Sequence, residues 1–316
     1  MQQCWGLPVP TMTEIANGLR FPEGPIAMPD GSVLLVEIER GTLTRVHPDG
    51  RTSVIAKMGG GPNGAAIGPG GACYVCNNGG FLWHRDKDGL RPVGQSADYV
   101  GGRIERVDLS TGKVDVLYTR GPNHKLNGPN DLVFDAHGGF YFTDLGKVRE
   151  REQDRGCVYY AKADGSLIKE VAFPLMTPNG CGLSPDGKVL YVAETWTGRV
   201  WAYDITAPGD IAKQPWPSPS GGRLVAGIGG FNLFDSLAVD AAGNICVATL
   251  FNPGLTVIAP DGQSSRHIAI PGDPYVTNVC FGGPDRRTAF VTLSMTGRLV
   301  SLLWDGPGAK LHHLDP

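Results

Sequence analysis

The sequence contains no apolar run approaching the ~20 residues needed to cross a bilayer. Its N-terminus, MQQCWGLPVPTMTEIANGLR, lacks a basic segment followed by an apolar one, so neither a membrane span nor a secretory leader is expected. Charge of one sign is missing too: 28 Lys and Arg stand against 31 Asp and Glu, a formal net charge of -3. That balance leaves no basic footprint for nucleic acid and no cationic face for a membrane surface. Long stretches with a 3.6-residue apolar period are absent, which argues against a helical fold. No Gly-x-Ser-x-Gly elbow occurs, and Ser236 beside Asp235 has no assigned base, so serine-nucleophile catalysis is disfavoured. The glycine-rich MGGGPNGAAIGPGG (58–71) lacks the Gly-Lys-Ser/Thr ending and the following helix of a phosphate loop.

Cysteine is sparse. The seven (Cys4, Cys73, Cys76, Cys157, Cys181, Cys246, Cys280) are scattered, odd in number and mostly set in apolar strand patterns. Buried thiols in a reducing cytoplasm are the expectation. Cys73 and Cys76 have the spacing of a redox or metal pair, but GACYVCN reads as a strand, where residues three apart face opposite sides.

What is abundant is glycine, 46 residues, with 25 prolines and no Gly-X-Y period. Many short strands joined by turns account for that composition. The chain also repeats. PEGPIAMPDGSVLLVEIERGTLTRVHPDG (22–50) and PNGCGLSPDGKVLYVAETWTGRVWAYD (178–204) share one order of signals: an apolar strand, a Pro-Asp-Gly turn, a second strand, a glycine, and a third. PNGAAIGPGGACYVCNNGG (62–80) resumes at 101–112, GPNDLVFDAHGGFYFTD (128–144) continues at 156–165, and 234–262 and 276–306 complete six copies. Pieces such as TSVIAKM and KVDVLY supply a fourth strand. Six radially repeated antiparallel sheets make an all-β, six-bladed β-propeller in one domain. Either TEIANGL near the start or KLHHL near the end is expected to close the ring. Three segments interrupt the repeat and are expected to be loops: 81–100, the charged 147–155, read as a solvated surface turn, and 206–222.

One position recurs before the first strand of each copy: Glu23, Asn63, Asn130, Asn179, Asp235 and Asn278. The innermost strands of a propeller run parallel to its axis in one direction, so six oxygen-bearing side chains converge on one mouth of the channel. Asn before Gly, as at Asn63 and Asn179, is by itself a common turn pair; the recurrence in register is what points to a site. Carboxylate and carboxamide oxygens suit one hard divalent cation, Ca²⁺ first, with Mg²⁺, Mn²⁺ or Zn²⁺ as alternatives, and two carboxylates match its charge.

At these residues the sequence resembles the regucalcin/gluconolactonase/luciferin-regenerating family of six-bladed, metal-dependent lactonases. The resemblance runs from RFPEGP to the last copy and is strongest at KLNGPNDLVFDAHGGFYFTD, TPNGCGLSPDGKVLYVAET and FDSLAVDAAGNICVAT. Where the family commonly carries Asp-Gly, this chain has Asp235-Ser236. The resemblance implies a metal held by Glu23, Asn179 and Asp235, with Asn130 a fourth ligand or a substrate contact. It also implies a small-molecule lactone or ester substrate, opened by a metal-polarised carbonyl and an activated water. Asp235 is then the general base. Asp131 is the other candidate, one step along a strand and expected to point away from the channel. Asn63, Asn127, Asn130 and Asn278 are candidate substrate contacts. The competing readings are hydrolysis of a phosphotriester, cyclic amide or imide at the same site, or a non-catalytic binding scaffold with a structural ion.

Overall fold

The structure, a computed structural model, describes residues 10–315; Cys4 lies outside them. Six antiparallel sheets surround a channel as the blades of a propeller, and the described residues contain a single 3-10 turn at Pro69–Gly71 and no other helix. Pro22–Ala27, Pro62–Ile67, Pro129–Phe134, Pro178–Leu183, Leu233–Val239 and Val276–Gly282 are the innermost strands of blades one to six. Proline opens four of them, a position where its missing N–H breaks no ladder bond. The pieces read as fourth strands are indeed the outer strands Thr52–Lys57 and Val114–Tyr118.

Which terminus closes the ring is now decided. Met12–Ala16 pairs with Arg298–Leu303 and completes blade six. The C-terminal segment does something else. Ala309 donates its N–H to Val239 O of blade five, His313 meets Phe134 of blade three edge-on, and Leu314 packs on the core between blades one and two. This segment lies across the end of the channel opposite the ring of strand starts, and beneath that ring leaves a cavity of about 120 Å³ lined by Ile26, Ile67, Leu132, Val239 and Phe281.

The core is divided among the blade interfaces. One apolar cluster joins blades one and two, another two and three, and so on round to blades six and one, where Leu299 and Ala16 meet Val33 and Leu35. Cys73 belongs to the cluster shared with blade one and Cys76 to that shared with blade three, as opposite strand faces require. The six described cysteines are free and buried, and burial pushes the Cys73 thiol up to about 12.

Two of the three interruptions differ from simple loops. Within 81–100, Phe81–Asp86 and Gly89–Gln95 form a separate hairpin. It leaves blade two and reaches blade six, where Leu90 donates its N–H to Met295 O. Within 206–222, the strand Arg199–Ala207 runs on and pairs with Asp210–Ala212, giving blade four a fifth strand. Periodicity concealed both because they pair outside the repeating register. The 147–155 segment is the turn expected, with Arg149 paired to Asp154, but its first residue, Lys147, is buried.

Candidate active site

Each innermost strand carries a register shift at the same height: between Glu23 and Ile26, Pro62 and Ala65, Pro129 and Leu132, Pro178 and Cys181, Phe234 and Leu237, and Val276 and Asn278. A bulge bends a strand and re-aims its side chains. Here it turns neighbouring residues toward the channel together. Asp131, expected to point away, lines the channel directly below Asn130, because strict alternation fails at the bulge. The Asn-Gly pairs at 63–64 and 179–180 are likewise strand and not turn. Their glycines serve packing: a Cβ on Gly64 would stand 2.5 Å from Asn130 O of the next blade, and one on Gly180 2.4 Å from Leu237 N.

A second repeated device fixes the height of the ring. The acidic or amide residue that ends the second strand accepts backbone N–H groups from the segment leading into the first. Glu37 holds Arg20 N at 2.8 Å, Asn77 holds Gly61 N at 2.8 Å, Asp144 holds Asn127 N and Gly128 N at 2.8 and 2.7 Å, and Glu194 holds Met176 N at 2.7 Å. These buried groups clamp the residues just ahead of Glu23, Asn63, Asn130 and Asn179 and are structural.

The ring itself divides by what its oxygens are doing. Glu23 Oε2 accepts from Gly24 N and from Asn278 Nδ2, both at 2.8 Å. Asn278 Oδ1 in turn accepts from Val279 N at 2.7 Å, so the Asn278 carboxamide is committed to holding Glu23. Asn179 donates to Thr195 Oγ1 at 3.1 Å and accepts from Ser236 Oγ at 3.4 Å. Asn127 stands off the ring, its Nδ2 on Asp154 Oδ2 at 3.2 Å. By contrast Asn130 Oδ1 is buried with no hydrogen-bond partner, and the Asn63 carboxamide makes no hydrogen bond within the described residues.

Three carboxylates share this well. Burial pushes Glu23 up to about 7 against the hydrogen bonds from Asn278, Gly24 N and Thr277. Burial and then the Glu23 charge push Asp131 up to about 7. Asp235, the carboxylate partly open to the mouth, stands well above the usual range through burial and the Glu23 charge, opposed by Asn179 and reinforced by Asp131. None of the main influences on the three is a positive side chain.

The residues therefore fit a divalent cation. Uncompensated buried carboxylates are costly, the Asn130 oxygen is buried without a hydrogen-bond partner, and the donor set is all oxygen, as Ca²⁺ prefers. Among the described residues no three His, Cys, Asp or Glu side chains gather into a ligand group by themselves; carboxamides must complete the set.

Comparison with known proteins agrees with this architecture. The family model for the SMP-30/Gluconolactonase/LRE-like region matches residues 21–295. A gluconolactonase of Zymomonas mobilis subsp. mobilis is 27% identical over 305 residues, covering 89% of this chain and 78% of that protein. A lactonase drp35 of Staphylococcus saprophyticus is 29% identical over 245 residues, covering 77% of this chain and 67% of its own length. A calcium-binding regucalcin from Agrobacterium tumefaciens superimposes with a TM-score of 0.73 at 19% identity over 97% of both chains, a likeness of fold.

Proposed function

This chain belongs to the SMP-30/gluconolactonase/LRE-like family, and on that premise we propose that it is a metal-dependent hydrolase that opens a small lactone at the ring of inner-strand starts. The observation that carries the proposal is the pairing of two buried carboxylates, Glu23 and Asp131, and the partly open Asp235 with an orphaned carboxamide oxygen. Glu23, Asn130, Asn179 and Asp235 would hold the cation, Ca²⁺ in preference to Mg²⁺, Mn²⁺ or Zn²⁺. When bound, the ion supplies Lewis-acid polarisation of the lactone carbonyl.

The remaining chemistry belongs to the side chains. Asp235 is assigned to take the proton of the attacking water, since it is the ring carboxylate partly open to the mouth. Asn278 keeps Glu23 oriented. Asn63, whose carboxamide makes no hydrogen bond within the described residues, would donate to a substrate oxygen. Asp131 is the competing base, but its Oδ1 is already held by Leu132 N at 2.9 Å.

Turnover of γ- and δ-lactones by pH-stat, on chelator-treated protein with Ca²⁺, Mn²⁺ or Zn²⁺ restored singly, tests this reading. Asp235→Asn is expected to lower kcat by at least a hundredfold, and Asp131→Asn by less than tenfold. A larger loss in Asp131→Asn reverses the assignment of the base. Tight metal binding without lactone turnover would sink the lactonase reading and direct the assay to phosphotriesters and cyclic imides.

A further inference from the structure

The wall of the mouth carries information about the substrate that the ring does not. On the side of blades five, six and one, aromatic rings follow one another without a break. Phe231 stacks on Phe251 with centroids 5.5 Å apart, Phe251 meets Tyr275 at 5.3 Å, and Tyr275 meets Phe21 at 5.7 Å. Phe21 then meets Trp83 of the hairpin at 5.1 Å. Five rings thus come from four separate parts of the fold. They stand at the ring's end of the channel: Phe21 lies two residues before Glu23, Phe231 four before Asp235 and Tyr275 three before Asn278.

Phe21 is buried in a small core cluster with Ile38 and Leu90, against which Trp83 and Tyr275 pack, but the far end of the arc is open. Phe231 is 66% and Phe251 44% exposed, and Tyr275 and Trp83 are partly so. Two are held at a backbone cost, with φ of 57° at Phe21 and 62° at Phe251, a region that phenylalanine rarely adopts. Such outliers persist where the surrounding structure insists on them, and they concentrate at ligand clamps. The hairpin that brings in Trp83 is itself fastened to blade six, so the wall is fixed in place before a ligand arrives.

An aromatic face can pack against the C–H face of a sugar ring but offers its hydroxyls no hydrogen-bond partner. Flat apolar groups stack on such faces favourably. Resting on the lactonase reading above, we infer that the substrate is a lactone bearing a planar apolar substituent, stacked on Phe251 and its neighbours, in preference to a sugar-acid lactone. The arc's place at the ring's end of the channel puts that substituent on the blade five to blade one side of the reacting carbonyl.

The test compares γ-phenyl-γ-butyrolactone, γ-butyrolactone and glucono-δ-lactone on the metal-restored enzyme, with calorimetric binding of 5-phenylpyrrolidin-2-one, an unreactive lactam of the same outline. The phenyl lactone is expected to exceed the other two at least tenfold in kcat/KM. Phe231→Ala/Phe251→Ala, both exposed and tolerant of truncation, should lower the phenyl-to-unsubstituted ratio at least tenfold, mainly through KM, and weaken the lactam similarly. Preference for glucono-δ-lactone, with the ratio unmoved by the double substitution, overturns the inference and leaves the lactonase reading standing. Lactam binding that the substitutions weaken, with no lactone opened, supports the aromatic subsite and counts against lactone hydrolysis instead. Failure of the lactam to bind overturns the subsite outright.

Discussion

Lys147 shows how one residue departs from the pattern of its segment. Arg149 to Glu152 of its segment are charged and exposed, but the Lys147 side chain is buried, with Nζ 4.7 Å from the Tyr99 ring centroid and 5.2 Å from that of Phe81. Burial lowers its pKa from 10.5 to about 8, against the pull of Asp144 and Asp154. The sign follows from proton binding: between pH 8 and 10.5 the unfolded chain holds the proton and the folded chain does not, so stability rises with pH across that window. Below it the buried charge costs up to about 3 kcal/mol. Lys147→Met is therefore expected to raise the denaturation midpoint at pH 7, with the advantage over wild type shrinking as the pH approaches 10. Urea titrations at both values check this; an equal or growing advantage at the higher pH would contradict it.

At the scale of elements, the two termini perform different work although either composition suits a closing strand. Met12–Ala16 supplies a full outer strand and places Ala16 in the cluster between blades six and one. The 307–315 segment adds no strand to any sheet and instead crosses the channel end. Deletion of residues 1–17 leaves Arg298–Leu303 without its partner and is expected to abolish soluble, cooperatively melting protein. Deletion of 307–316 is expected to leave all six sheets folded, with the strand signal in far-ultraviolet circular dichroism retained and a lower Tm. The reverse ranking would show that the C-terminal segment holds the ring shut.

The whole molecule is a closed circle of inter-blade cores, and the ring of oxygens exists only because that circle closes. A ligand that joins blades one, three, four and five should accordingly stabilise the entire fold. By linkage, Ca²⁺ at a hundred times its dissociation constant adds about 2.7 kcal/mol, visible as a rise in Tm of chelator-treated protein. Glu23→Gln and Asp235→Asn should remove that rise. Asn130→Leu should weaken it without lowering the Tm of the stripped protein, because it deletes a carboxamide oxygen that no protein group satisfies. A Ca²⁺-dependent rise that survives all three substitutions would place the ion elsewhere.

The amino-acid sequence by itself determined the blade count, the strand order and the height of the ring, because period-two alternation, Pro-Asp-Gly turns and a recurring oxygen-bearing residue are local signals repeated six times. It also placed Cys73 and Cys76 on opposite faces, a matter of one strand's geometry. Other features arise only when distant segments meet. Alternation along a strand says nothing of a bulge, so Asp131 gave no sign of lining the channel. Asn278 and Asn127 look the same as Asn63 in the chain, yet the first two are taken up by Glu23 and Asp154 while the third makes no hydrogen bond among the described residues. The aromatic wall joins residues from 21 to 275, and the hairpin carrying Trp83 finds its contact on a blade more than two hundred residues away. Local periodicity could write the blades; only the closure of the ring decided which side chains face one another across the mouth, since those contacts belong to no single segment.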